Sequence, residues 1–182
     1  TGLGKPLKLI LHPVRDHIPL YLGAEGPKNV ALGAELCDGW IPMILSPYRM
    51  MDQYKDAMRI KAPQFEIAAT VPVFIDDDVD RALAAVKQQV GFYIGGMGAR
   101  TYNVHKDHVS RMGFEAEADK IQELFLAGKR DQAIAAVPDQ LVDEISLCGP
   151  RERIRDRLTA WKESPVTMLN VDSSNPDTLR FL

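Results

Sequence analysis

The sequence predicts an α/β fold built on a parallel sheet. Two observations carry this. Short apolar runs alternate with helical patterns along nearly the whole chain. Glycine and proline stand at the corners between them, with proline repeatedly at the first helical position. The composition, 46% hydrophobic and 26% charged, is that of an ordinary globular protein, and 182 residues suffice for one domain with a sizeable core.

Residues 18–22 read as a short buried strand. Residues 27–37 read as a helix with Pro27 at its first position and Val30, Ala31, Ala34 and Cys37 on one face. Gly33 weakens that helix unless close packing needs bare backbone there. Residues 40–45 form a second apolar run, after which Ser46 and Pro47 signal a helix start. Tyr48, Met51, Tyr54 and Met58 recur on one face of that helix. Residues 65–75 read as the third strand, where Pro72 argues for a bulge or a strand end. Asp76, Asp77 and Asp78 then place negative charge at a helix N-terminus, where the dipole favours it. Val79, Leu83, Val86, Val90 and Tyr93 give that helix its apolar stripe, and Gly95-Gly96 stops it.

Residues 97–148 hold no convincing strand and read as a helical insertion with short helices around Ile121, Ile134 and Val142. Gly149-Pro150 opens a further helix bearing Ile154, Leu158 and Trp161. Residues 166–171 are the last strand, and Leu7, Leu9 and Leu11 suggest one extra strand near the start. The order is β-α-β-α-β-α-insertion-α-β, in a single domain spanning 1–182. A closed (β/α)8 barrel needs eight strands and usually about 250 residues. Four strands leave two architectures: a small open sheet, or half of a barrel.

A net charge of −3 without a basic stripe argues against nucleic acid as a partner. No apolar stretch is long enough to span a bilayer, and Thr1-Gly2-Leu3-Gly4 does not resemble a secretory leader. Cys37 and Cys148 are too few for a disulfide framework or a zinc site and read as buried free thiols, which suits the cytoplasm. The sequence stops at Phe181-Leu182, inside an apolar pattern without a helix stop signal, which suggests truncation.

The corner Gly23-Ala24-Glu25-Gly26-Pro27-Lys28-Asn29 joins the first strand to the first helix. Bare backbone N–H groups and a helix N-terminus together favour an anion, most often a phosphate. Lys28 adds charge and Asn29 a donor. Glu25 would repel phosphate unless it points away. The alternative is a turn that needs glycine only for its geometry.

Other candidates read more plainly as structure. His105-x-x-His108 has metal-ligand spacing on a helix, but no third ligand stands in register, and Lys106 and Asp107 suggest a wet surface. We expect no metal. His12 and His17 flank a turn with solvated Arg15 and Asp16. Arg151, Arg153, Arg155 and Arg157 read as a solvated helix face. Met43, Met50, Met51 and Met58 read as core filler.

The segment "IPLYLGAEGPKNVALGAELCDGWIP", starting at Ile18, resembles the fifth strand, fifth helix and sixth strand of the bacterial luciferase-like family. The likeness is greatest to its deazaflavin-dependent oxidoreductase branch, which includes the methylenetetrahydromethanopterin reductase-like enzymes. "YIGGMGARTYNVHKDHVSRMGFEAEADKIQELFLAG" from Tyr93, "AVPDQLVDEISLCGPRERIRDRL" from Ala136 and the late "VTMLNV" are similar to the same branch. The resemblance implies the second half of a (β/α)8 TIM barrel. In the family, the preceding half carries four strands and most side chains assigned to hydride and proton transfer. It implies coenzyme F420 as cofactor or, in sister groups, FMN, with Gly23, Ala24, Glu25, Gly26, Pro27, Lys28 and Asn29 around the phosphate. It further implies that Pro42, Met43 and Ile44 line the ring or substrate pocket. Arg100 would supply a second cationic contact, unless it forms only a surface salt bridge.

The function so implied is an F420-dependent oxidoreductase that moves a hydride between a deazaflavin and a small organic substrate. No catalytic acid or base is legible. The alternatives are an FMN-dependent monooxygenase of the same superfamily and a non-catalytic, phosphate-ligand-binding half-barrel. Half a barrel exposes strand edges and an apolar interior, so we expect a homo-oligomer or association with an N-terminal half.

Overall fold

The computed structural model describes residues 4, 10, 12, 14–173 and 175–182. Its core is a parallel sheet of five strands: β1 Tyr21–Gly23, β2 Gly39–Ile41, β3 Glu66–Ile75, β4 Leu147–Gly149 and β5 Met168–Asp172. All strand pairings are parallel, and helices form the connections. The helices are α1 Pro27–Leu36, α2 Met50–Tyr54, α3 Val79–Gly96, α4 Val104–Val109, α5 Glu115–Leu126, α6 Arg130–Ala135, α7 Asp139–Ile145, α8 Arg151–Glu163 and α9 Pro176–Phe181. Among the described residues no helix is long and apolar enough to cross a membrane.

β3 organises the sheet. Its even-numbered N–H groups point to one side: Glu66 donates to Asp38, Thr70 to Pro42 and Asp76 to Gly149. β2 therefore flanks the first part of this edge and β4 its last part. The odd positions face β5, where Ile67 accepts from Thr167. Pro72 stands at the handover between β2 and β4. Its missing N–H falls where neither strand needs a donor, so the strand runs on without the expected break.

Two apolar clusters hold the elements together. One joins the sheet to α1, α2 and α8 through Val30, Trp40, Tyr54, Ile67, Ile154 and Trp161. The other joins α3, α5, α6 and α7 through Val86, Ile94, Ile121, Ala133 and Val142. β4 links them, because strand alternation sends Leu147 into the first and Cys148 into the second. Burial pushes the Cys148 thiol above its ordinary range, as suits an inert core thiol. Cys37 is half-buried.

Several expectations change. The first strand is shorter than residues 18–22 and is not buried: Ile18 is 73% exposed and Leu20 57%. Among the described residues β1 pairs only with β2. The second apolar run leaves strand geometry after Ile41. Ser46 does not cap a helix, and its hydroxyl donates instead to Glu144 at 3.1 Å, beside the Arg49–Glu144 ion pair. On α2 and the turn after it the buried residues are Met50, Tyr54 and Met58, while Tyr48 and Met51 are exposed. The insertion ends in β4, a strand too short to announce itself. α3 does end at Gly96 as expected, and Gly95 and Gly96 also let the Phe125 ring of α5 approach the helix backbone. Leu7, Leu9 and Leu11 lie outside the described residues.

Other expectations stand. Pro27 opens α1 and Asp78 caps α3 by accepting from the Arg81 N–H at 3.1 Å. A Cβ on Gly33 would come within 3.2 Å of Leu22, which is the close helix–strand approach that its glycine serves. The arginine run of α8 is less solvated than expected. Arg153 and Arg157 pair with Asp143 of α7 at 2.8 and 3.0 Å, and Arg151 and Arg155 lie over the Phe181 ring.

Candidate functional site

A cavity of about 620 Å³ opens beside the C-terminal ends of β1 and β2, the end where parallel α/β sheets place their sites. Its wall is formed by Gly23, Ala24, Glu25, Gly26, Asn29, Ile41, Met43, Thr70, Tyr102, Val104 and His105. The β1–α1 corner makes one side. The start of α4, delivered by the insertion, makes another.

The corner is bare and firmly held. A Cβ built on Gly23 or Gly26 would meet no protein atom within 4 Å, so backbone faces open space. Gly26 precedes α1 in extended geometry, and its carbonyl accepts from Asn29 and Val30 at 3.0 Å. The Lys28 N–H has no acceptor among the described residues, as expected for a first-turn donor. Trp40 Nε1 donates to the Ala24 carbonyl at 2.7 Å, and Arg111 donates to the Glu25 carbonyl at 2.9 Å.

Glu25 turns inward. It is only 6% exposed, and Oε1 lies 2.9 Å from His105 Nδ1, while Oε2 is buried with no partner among the described residues. The carboxylate is engaged by the imidazole instead of lying free beside the helix N-terminus.

α4 owes its position to Asn103. This buried side chain accepts from the His105 and Lys106 N–H groups at 3.0 and 3.1 Å, and its Nδ2 donates to the Ile94 carbonyl at 2.7 Å. The N-cap thus also fastens α4 to the end of α3. The Tyr93 ring packs edge-on against His105, with centroids 4.8 Å apart. One turn on, His108 is buried. Its Nε2 lies 3.0 Å from the Ile44 carbonyl, and its Nδ1 lies 3.0 Å from the Tyr54 hydroxyl. Ile44 has φ 49, an uncommon conformation for a β-branched residue, and its carbonyl is spent on this contact. Of the wet surface expected for His105-x-x-His108, Asp107 is exposed, while His108 is buried and His105 is half-buried in the cavity wall.

Of the residues singled out from sequence, Gly23, Ala24, Glu25, Gly26, Asn29 and Met43 come together in the wall. Pro27 and Lys28 are exposed and stand outside it. Pro42 and Ile44 are buried behind it, since the chain leaves strand geometry after Ile41. Arg100 is exposed and does not reach the wall. Sequence reasoning missed Ile41, Thr70, Tyr102, Val104 and His105. For His105 a signal existed in Asn103, a cap residue that starts a helix two positions earlier, but nothing local reveals that Glu25, 80 residues away, is its partner.

The profile of the luciferase-like monooxygenase family matches residues 3–168. A Mycobacterium tuberculosis protein with the provisional name coenzyme F420-dependent oxidoreductase is 42% identical over 191 residues, covering 100% of this chain and 55% of the relative. The 5,10-methylenetetrahydromethanopterin reductase of Archaeoglobus fulgidus is 27% identical over 158 residues, covering 84% of this chain and 47% of that protein. The chain thus spans about half the length of the curated relatives it matches. Among solved structures, the coenzyme F420-dependent tetrahydromethanopterin reductase of Methanopyrus kandleri superposes with a TM-score of 0.63 at 22% identity, covering 90% of this chain and 48% of that one. An F420-dependent secondary alcohol dehydrogenase, bound to an F420–acetone adduct, gives 0.61 at 20% identity, covering 91% and 46%. The chain has the fold of about half of such a (β/α)8 barrel.

Proposed function

The chain belongs to the luciferase-like monooxygenase family, and from that premise we propose that it forms the second half of a coenzyme F420-dependent oxidoreductase. The reaction class is hydride transfer between a deazaflavin and a small organic substrate. The names of the relatives support F420 over FMN. One observation of the chain itself carries the reading: the bare β1–α1 corner opening onto the cavity of about 620 Å³.

The residues present fit the group. Gly23 and Gly26 keep the backbone accessible, the Lys28 N–H is unspent, and Asn29 adds a neutral polar side chain at the start of α1. Ile41, Met43, Val104 and Tyr102 offer an apolar and aromatic wall suited to a flat ring. When bound, the deazaflavin supplies the hydride chemistry. The chain's own share is to hold the anionic end at the corner, orient the ring against Met43 and exclude water. No residue of this half is assigned proton transfer.

Loading the complete protein with F420 or FMN and following the visible absorbance after desalting tests the proposal. F420 should be retained. Retention of FMN with no retention of F420 would replace this reading with a flavin monooxygenase.

A further inference from the structure

Resting on that reading, we propose that His105 is a switchable cationic anchor for the ligand's anionic group, and that Glu25 is the positioning residue that holds it in place. Among the described residues of the cavity wall, His105 is the side chain able to carry positive charge; Lys28 and Arg100 are exposed and lie outside the wall.

Geometry fixes which nitrogen serves. Nδ1 lies 2.9 Å from the Glu25 carboxylate, which has only acceptors to offer, so Nδ1 carries a proton. Nε2 has no hydrogen-bond partner among the described residues and belongs to a side chain of the cavity wall. The Asn103 cap holds the His105 backbone N–H, and the Tyr93 ring packs edge-on against the imidazole.

Charge decides what Nε2 does. Glu25 and Arg111, whose guanidinium donates to the Glu25 carbonyl, offset each other in either state, so with His105 neutral the corner has no charge to spare for an anion. With His105 protonated, the imidazolium joins the α1 N-terminus and tips the corner positive.

The other groups facing His105 do not offer the same switch. From α4 itself, His108 lies one turn on and burial favours its neutral form, while Lys106 is tied to Asp119 at 2.7 Å. Asp107 is exposed. From α2, Tyr54 is pushed up to about 12 by burial and stays neutral. Arg111 keeps a constant charge, and Tyr93 of α3 and Tyr102 of the wall are phenols.

The test titrates the complete protein with inorganic sulfate, whose charge is constant near neutrality, and separately with F420, in steps across the imidazole range of about pH 5 to 8. Affinity for both should fall with rising pH, approaching about tenfold per unit once the imidazole has lost its proton, the limit for one linked proton. His105→Gln should flatten that dependence and weaken binding at the acid end by about tenfold or more. Glu25→Gln should move the fall to lower pH. In the unmutated protein, sulfate should move the His105 ring resonances to a higher titration midpoint, a readout independent of variant folding. Flat sulfate affinity with unmoved His105 resonances overturns the proposal. So does F420 binding that is equal in His105→Gln at every pH, although the cofactor reading would survive it. Sulfate that titrates His105 in a protein unable to hold F420 would instead sink the cofactor reading and support the anchor.

Discussion

The Tyr54 hydroxyl lies 3.0 Å from Nδ1 of His108, and both side chains are buried. His108 Nε2 faces the Ile44 carbonyl, which only accepts, so the neutral ring carries its proton there and leaves Nδ1 as an acceptor facing Tyr54. The same hydroxyl donates to the Glu25 carbonyl at 2.8 Å, so Nδ1 and that carbonyl compete for its one proton, and one phenol touches α2, α4 and the β1–α1 corner. Replacing it should loosen all three. Tyr54→Phe leaves the buried Nδ1 without a donor and should cost about 1–3 kcal/mol, read from urea unfolding of the complete protein. An unchanged midpoint would show that the hydroxyl does not tie these elements together.

His108 adds a pH dependence to that seam. Burial pulls its pKa below the ordinary 6.5, opposed in part by Glu25 and the Ile44 carbonyl. Below 6.5 the unfolded chain therefore binds a proton that the folded chain resists. The contribution of this group is complete above 6.5 and is lost as pH falls toward the depressed folded value. Unfolding free energy measured from pH 7.5 downward should decline through that window, and less steeply in His108→Gln. Equal slopes for the two proteins would contradict it.

Two glycines should separate stability from binding. A Cβ on Gly39 would overlap the Tyr21 ring and stand 2.9 Å from the Glu66 carbonyl, so Gly39→Ala forces β1, β2 and β3 apart at about 1–3 kcal/mol. A Cβ on Gly23 meets nothing, so Gly23→Ala should leave the thermal midpoint nearly unchanged while filling the cavity corner. F420 titration should find Gly23→Ala weakened. A thermal midpoint that drops as far in Gly23→Ala as in Gly39→Ala would mean the corner is packing rather than site.

The outer strands should drive association. Among the described residues β1 pairs only with β2 and β5 only with β3, and Tyr21 and Met168 are exposed on these strands. An apolar groove of about 360 Å³ beside β5 is lined by Leu158, Trp161, Val166, Met168 and Val171. Light scattering on the 182 residues alone should report self-association, and adding the preceding half of the barrel as a separate chain should reverse it. A monodisperse monomer would refute the expectation.

Strand–helix alternation, the Pro27 start of α1, the Asp78 cap and the parallel sheet were legible in the residues, because each depends on local geometry: a proline's fixed φ, a carboxylate one turn from a free N–H, a period of two against 3.6. The glycine corner was legible for the same reason. β4 was not, since three residues show no period, and Pro72 misled because its harmlessness depends on which neighbour each edge of β3 faces at that point.

The sequence by itself determined most of the elements, their order and a bare glycine corner between the first strand and the first helix. Only the tertiary structure decided that Glu25 turns inward to His105, that Lys28 and Arg100 stay outside, and that His108 is buried while His105 stands half-buried in the cavity wall. The reason is that charge at a site is a property of distance in space. Residues 25 and 105 meet because Asn103 fastens α4 to the end of α3 and the Tyr54–His108 contact draws α4 toward the corner. No local pattern encodes that meeting.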